Sequence, residues 1–198
     1  MSAHHDELQD IENAKHFWKN GGKWIFAFLL MAALVYLGKV IYDSHIESKN
    51  HEAATIASEI KGDISKLTVL QQQFANSTAV AQASLETAGQ LFVQGKYDDA
   101  IVVYRWILDN NKTPLFQAAA AHNLAVVLLQ QKKYDDALAA LDMSVEADYQ
   151  AVFNEARGDI FSAQGKKTEA SGAYQAALDK LPENAPNREW LQMKKAAL

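Results

Sequence analysis

His4 and His5 stand side by side next to Asp6 and Glu7, and His45 and His51 lie six residues apart beyond an apolar run, so a metal site is the first chemistry to test. Two ligands on one helix face need one-turn spacing, which His45 and His51 lack. His4 and His5 sit in an acidic leader with no fixed third ligand, where solvated imidazoles are the expectation. Cysteine is absent, which removes disulfides, thiolate nucleophiles and thiolate metal sites together. The sequence holds no phosphate-cradling glycine loop, no His-Glu-x-x-His and no Gly-x-Ser-x-Gly. The expectation is a protein without enzyme activity, with no cofactor, no metal and no small-molecule substrate. Acidic side chains outnumber basic ones, 24 to 19, for a net charge of −5, so the basic footprint of a nucleic-acid binder is missing.

What remains is the chemistry of contact, and the elements that would position it repeat. Lys-Tyr-Asp-Asp-Ala occurs as Lys96–Ala100 and again as Lys133–Ala137, with Tyr97 and Tyr134 37 residues apart. A weaker copy, Gly165-Lys166-Lys167-Thr168-Glu169-Ala170, follows. A period of about 34 residues means stacked helical hairpins, each burying its apolar face on its neighbours and together building a binding surface.

Register follows from the small residue opening the second helix of each hairpin: Ala100, Ala137 and Ala170. Twelve residues upstream stand Ala88, Ala125 and Gly158, small enough for two helices to approach closely. Leu91, Leu128 and Phe161, with Tyr104, Leu141 and Tyr174, are the expected core fillers. Reversals fall at Gln94-Gly95, Gln131-Lys132 and Gln164-Gly165, glycine serving the left-handed turn in two of the three. Asp98, Asp135 and Thr168 are placed to cap the second helices and to oppose their dipoles.

One segment breaks the polar average. From Trp24 to Tyr42 the chain runs 19 residues with Lys39 as its only charge, about 28 Å as a helix and close to the thickness of a bilayer's hydrocarbon core. Lys39 lies near its end, where a lysine can snorkel. Trp18 and Trp24 at one margin, and Tyr36 and Tyr42 at the other, fall where interfacial aromatic belts form. A cleaved leader would carry a basic start and a small-residue cleavage site, but here Asp6, Glu7, Asp10 and Glu12 precede the run. Lys15, Lys19 and Lys23 against Lys39 and Lys49 favour a cytoplasmic amino terminus.

Between anchor and repeats, Ile56, Ile60, Ile64, Leu67, Leu70 and Phe74 write one apolar helical face, interrupted by Lys61-Gly62-Asp63. This predicts a degenerate hairpin with its second helix from about Ile64. The expected organisation is a cytoplasmic tail over residues 1–22, a transmembrane helix over 23–42, a juxtamembrane hairpin over 43–80, three repeats over 81–184 and a capping helix over 185–198. In the last of these, Asn187 begins a helix through Trp190, Leu191 and Met193, with Lys194 and Lys195 in solvent. The fold class is all-α: one amino-terminal membrane helix followed by a helical-hairpin solenoid.

The hairpins resemble the tetratricopeptide repeat, as units Ala81 to Pro114, Ala118 to Ala151 and Ala151 to Asn184. The first helices depart from the pattern, with Ser84, Ala121 and Asn154 where a bulky aromatic is usual and Arg157 where an apolar residue is usual. In such repeats the first helices line a concave binding face. The resemblance therefore implies protein contacts through Leu85, Glu86, Phe92, His122, Asn123, Val126, Leu129, Glu155 and Asp159. That face lacks the lysine and arginine set by which carboxylate-clamp repeats grip a peptide's terminal acid.

Phe17 to Gly22 (Phe-Trp-Lys-x-Gly-Gly), a single anchor, the repeats, Arg157-Gly158-Asp159 and Leu191-Gln192-Met193-Lys194 together resemble the YfgM family of bacterial inner-membrane proteins. Membership implies a cytoplasmic amino terminus and a periplasmic repeat domain. It also implies work as an ancillary subunit of the SecYEG translocon in complex with the membrane-anchored periplasmic chaperone PpiD, assisting secreted and outer-membrane proteins. The alternative is a negative regulator restraining a stress-response transcription factor through its tail or repeats.

Overall fold

The computed structural model describes residues 15–198 apart from Lys61 and Asn76, with Asn20 as backbone only. His4, His5 and the acidic leader, with Lys61 of the interrupting tripeptide, lie outside the described residues. The chain divides between Ser48 and Lys49 into two compact units.

The first unit holds a short π-helical turn, Trp18–Gly22, and most of the long helix α1 (Lys23–Ala57). No proline interrupts α1, and its apolar residues are spread over every face, so helix propensity and not amphipathic packing shapes it. From Trp24 to Tyr42 its side chains are exposed throughout. Among the described residues it is the one helix long and apolar enough to cross a membrane. The rings of Trp18 and Phe26 meet at 5.8 Å.

The second unit begins with the last turns of α1, where Ala53 is fully buried. Gly62 turns the chain at φ +83°, and the Oδ1 of Asp63 accepts the amides of Ser65 at 2.9 Å and Lys66 at 3.3 Å. This cap starts α2 (Ile64–Gln73), whose Leu67 and Leu70 point into the core. Three hairpins follow: α3 (Thr78–Val93) with α4 (Tyr97–Asn110), α5 (Pro114–Gln130) with α6 (Tyr134–Ala140), and α7 (Ala147–Ala163) with α8 (Lys167–Lys180). A last helix, α9 (Arg188–Ala196), packs on α8. Pro114 opens α5 at a position where its missing amide costs nothing.

The three reversals share one geometry. Gly95, Lys132 and Gly165 take φ of +75°, +61° and +74°. The amides of Lys96, Lys133 and Lys166 each donate at 2.9 Å to the carbonyls of Leu91, Leu128 and Phe161. This is the closure in which the residue after a left-handed C′ reaches back one turn and satisfies orphan carbonyls. Lys132 adopts the left-handed conformation without glycine's freedom.

The capping expected of Asp98, Asp135 and Thr168 is corrected. The N-caps of α4, α6 and α8 are Lys96, Lys133 and Lys166, none with a side-chain cap bond. The aspartates stand two residues further in, inside the first turn, where a carboxylate meets the dipole but makes no cap bond to the free amides. Asp98 instead accepts from Gln131 Nε2 at 2.9 Å, joining the first two reversals.

The small and large registers pack as their sizes dictate. Ala88, Ala100, Ala125, Ala137 and Ala170 are buried to 1% exposure or less, and Leu91, Leu128, Tyr104, Leu141 and Tyr174 fill around them. Each such leucine contributes about 1.5–3 kcal/mol by leaving water. The main core runs from Ala53 through the first two hairpins to Phe153 and Ile160 of α7. A second core, Tyr174, Ala177, Leu178 and Leu191 with Phe161, Leu181 and Leu198, joins the third hairpin to α9.

Repetition fails at α6. Its 7 residues are half the 14 of α4 and of α8, although all three open at the same motif. An irregular segment, residues 141–146, replaces the missing turns.

Candidate protein-docking face

The first helices α3, α5 and α7 pack side by side in order, so residues at matching positions form one continuous face. Leu85, Phe92 and Leu129 are half-buried against the main core, and Phe92 meets the Tyr97 ring at 5.5 Å. These three serve packing first. Glu86 is exposed and accepts from Gln82 Nε2 at 3.0 Å. His122, Asn123 and Val126 are half-buried on α5, with Asn123 Oδ1 3.2 Å from His122 Nδ1. Asn123 also bonds the Tyr104 phenol, whose proton is held more tightly than usual because burial outweighs that bond.

On α7 the arrangement differs from a bare acidic surface. Lys194, from α9, places its Nζ 2.9 Å from Glu155 Oε1 and 2.8 Å from Asp159 Oδ2. Tyr174 donates its hydroxyl to Asp159 Oδ1 at 2.8 Å. Burial opposes the ammonium's charge, but the bonds to Asp159 and Glu155 more than offset it and raise the lysine above its ordinary value. Tyr174 is pushed well above the usual phenol range by burial, reinforced by the carboxylate it bonds. Lys194 was expected in solvent; it is a bridging residue between α9 and α7.

The departures in the first helices have partners too. Ser84, fully buried where an aromatic is usual, accepts from Gln71 Nε2 at 3.0 Å, so α2 fills the vacated volume with an amide. Arg157 donates through Nη2 to the Leu141 carbonyl at 2.6 Å and through Nη1 to Asn154 Oδ1 at 3.2 Å. The guanidinium thus satisfies the buried Leu141 carbonyl where α6 stops early.

Beside that stop a cleft of about 460 Å³ opens, walled by Lys112, Pro114, Gln117, Met143, Val145 and Tyr149. Sequence reasoning missed it because the motif opening α6 is identical to the one opening α4. Trp190 and Met193, expected only as parts of the capping helix, lie three residues apart on α9 and are more than half exposed.

Residues 15–198 match the tetratricopeptide repeat-like domain family. The ancillary SecYEG translocon subunit of Neisseria gonorrhoeae is 46% identical to this chain over an alignment covering 98% of each. Two independent kinds of likeness, each spanning nearly the full length, agree with the hairpin register and the single apolar helix: the chain belongs to the tetratricopeptide repeat-like domain family and, within it, to the YfgM family.

Proposed function

We propose that this protein is a non-catalytic, membrane-tethered scaffold working as an ancillary subunit of the SecYEG translocon. The observation that carries this reading is the 46% identity, over 98% of both chains, to a relative named for that role. The exposed apolar stretch of α1 supports a single-pass anchor over residues 23–42. The face of α3, α5 and α7, apolar with carboxylates and amides and no basic set, supports docking of a folded partner or a peptide.

In this reading residues 1–22 are cytoplasmic and the repeats are periplasmic in the inner membrane. Their partner is a membrane-anchored chaperone of the PpiD kind that receives emerging secreted and outer-membrane proteins. Confinement of both partners to one membrane raises their effective concentration, so modest affinity suffices. Photo-crosslinkers at Glu86 and His122 of the full chain, in intact inner membranes, test the proposal. Translocon subunits and the chaperone are the expected adducts; capture of cytosolic proteins alone overturns topology and function together.

A further inference from the structure

We propose that α9 is a displaceable strap, which covers the acidic end of the first-helix face and yields it to an amphipathic partner helix carrying a lysine or arginine. The inference rests on reading that face as a docking surface.

The grip of α9 is apolar at Leu191 and, just beyond the helix, at Leu198, and polar elsewhere. Leu191 is its one fully buried side chain. The rest is held by side-chain hydrogen bonds: Arg188 to the carbonyls of Leu178 at 2.9 Å and Leu181 at 3.1 Å, Lys195 to Gln175 at 2.6 Å, and Lys194 to Glu155 and Asp159. Polar contacts at a partly wet surface exchange readily for water or for another donor. A cleft of about 420 Å³, bordered by Gln175, Leu178, Arg188, Gln192 and Lys195, runs along the seam between α8 and α9. The helix is therefore seated without being sealed.

The surface beneath states what it accepts. Tyr174, Ala177 and Leu178 present an apolar strip, and Glu155 with Asp159 set two carboxylates beside it. Leu191 and Lys194, one turn apart, fill the strip and the carboxylates respectively. A partner helix with an apolar residue followed one turn later by a cation reproduces both contacts, and Lys194 shows that an ammonium fits between the two acids. Two carboxylates against one ammonium leave the site with net negative charge, which favours basic competitors. The outer side of α9 adds a reason for movement. A solenoid cap is ordinarily polar outside, yet Trp190 and Met193 are exposed, with the Trp190 ring 5.9 Å from Lys194 Nζ. Local opening of a weakly held helix lies at the low end of a fold's stability range.

Hydrogen exchange on the full chain in detergent micelles, read peptide by peptide, tests the strap. Amides of α9 are expected to exchange through an opening that leaves α7 and α8 protected, and Lys194→Gln speeds α9 exchange about fivefold. Lys194→Arg, which keeps the cation, stays within about twofold. A fluorescent peptide copying residues 186–198 binds the Lys194→Gln chain more tightly than the unaltered chain, and the same peptide with glutamine at the position of Lys194 binds neither. Exchange of α9 in step with α7 and α8, or equal peptide binding by both chains, overturns the strap. Neither result touches the crosslinking outcome at Glu86 and His122, so failure of the strap and failure of the docking face are told apart.

Discussion

Replacing Gly158 by alanine tests the packing argument directly, because this is the one hairpin where the small register position is glycine. In an open helix interior the change stabilises by about 1 kcal/mol. Here a Cβ built on Gly158 overlaps the Tyr174 ring at Cδ1 and Cε1. Overpacking of that kind costs about 1–3 kcal/mol. If the ring swings aside, its hydroxyl also leaves the Asp159 carboxylate, 2.8 Å away, for a further loss of about 1.5 kcal/mol. The balance is a destabilisation of about 2 kcal/mol, which for a unit of this size lowers Tm by about 4–8 °C. Thermal unfolding followed by circular dichroism in detergent measures it. The double change Gly158→Ala/Tyr174→Leu recreates the Ala125 and Leu141 pair of the second hairpin and is expected to recover at least half of the loss. A single mutant more stable than the parent would refute the close approach, since only an unobstructed position gains from alanine.

Lys132 holds φ at +61°, so Lys132→Gly relieves backbone strain and raises stability by about 0.5–1 kcal/mol, whereas Gly165→Ala lowers it by a similar amount; denaturant titration separates the signs. Ser84→Ala strands the buried Gln71 amide and costs about 1–2 kcal/mol, and adding Gln71→Leu restores most of it. Tyr174 and Lys194 both hold protons more tightly when folded than their ordinary values of 10.0 and 10.5. The unfolded chain therefore releases those protons first, so stability is full below about pH 10 and falls as pH rises further. Tyr174→Phe and Lys194→Gln each flatten that alkaline decline in urea titrations taken between pH 8 and 11.

The repeat register was readable because volume and position recur together: a small residue at 88, 125 and 158 and a bulky one at 104, 141 and 174 can be matched without knowing any contact. The break before α2 was equally plain, since Gly62 and Asp63 carry both turn and cap chemistry. Capping by Asp98 fails because the N-cap lies two residues earlier, at Lys96, and that distance puts the carboxylate inside the first turn instead of at the cap. The early end of α6 was hidden because its opening motif matches that of α4, and the difference lies in residues 141–146, where Asp142 and Ser144 weaken the helix. On the proposed docking face, Glu155 and Asp159 both lie on α7, but their engagement by Lys194 spans 39 and 35 residues of sequence. Periodicity within a repeat carries no information about such a contact.

The early end of α6 also makes the chain divisible. Between Leu141, which closes the main core, and Ala147, where α7 begins, no helix would be cut by a nick or an inserted loop. The two halves would still meet through Phe153 and Ile160 packed in the main core and through the Arg157 guanidinium on the Leu141 carbonyl. Residues 142–146 are thus where a split or an insertion cuts no helix, with Met143 and Val145 the only core-packed side chains it would disturb.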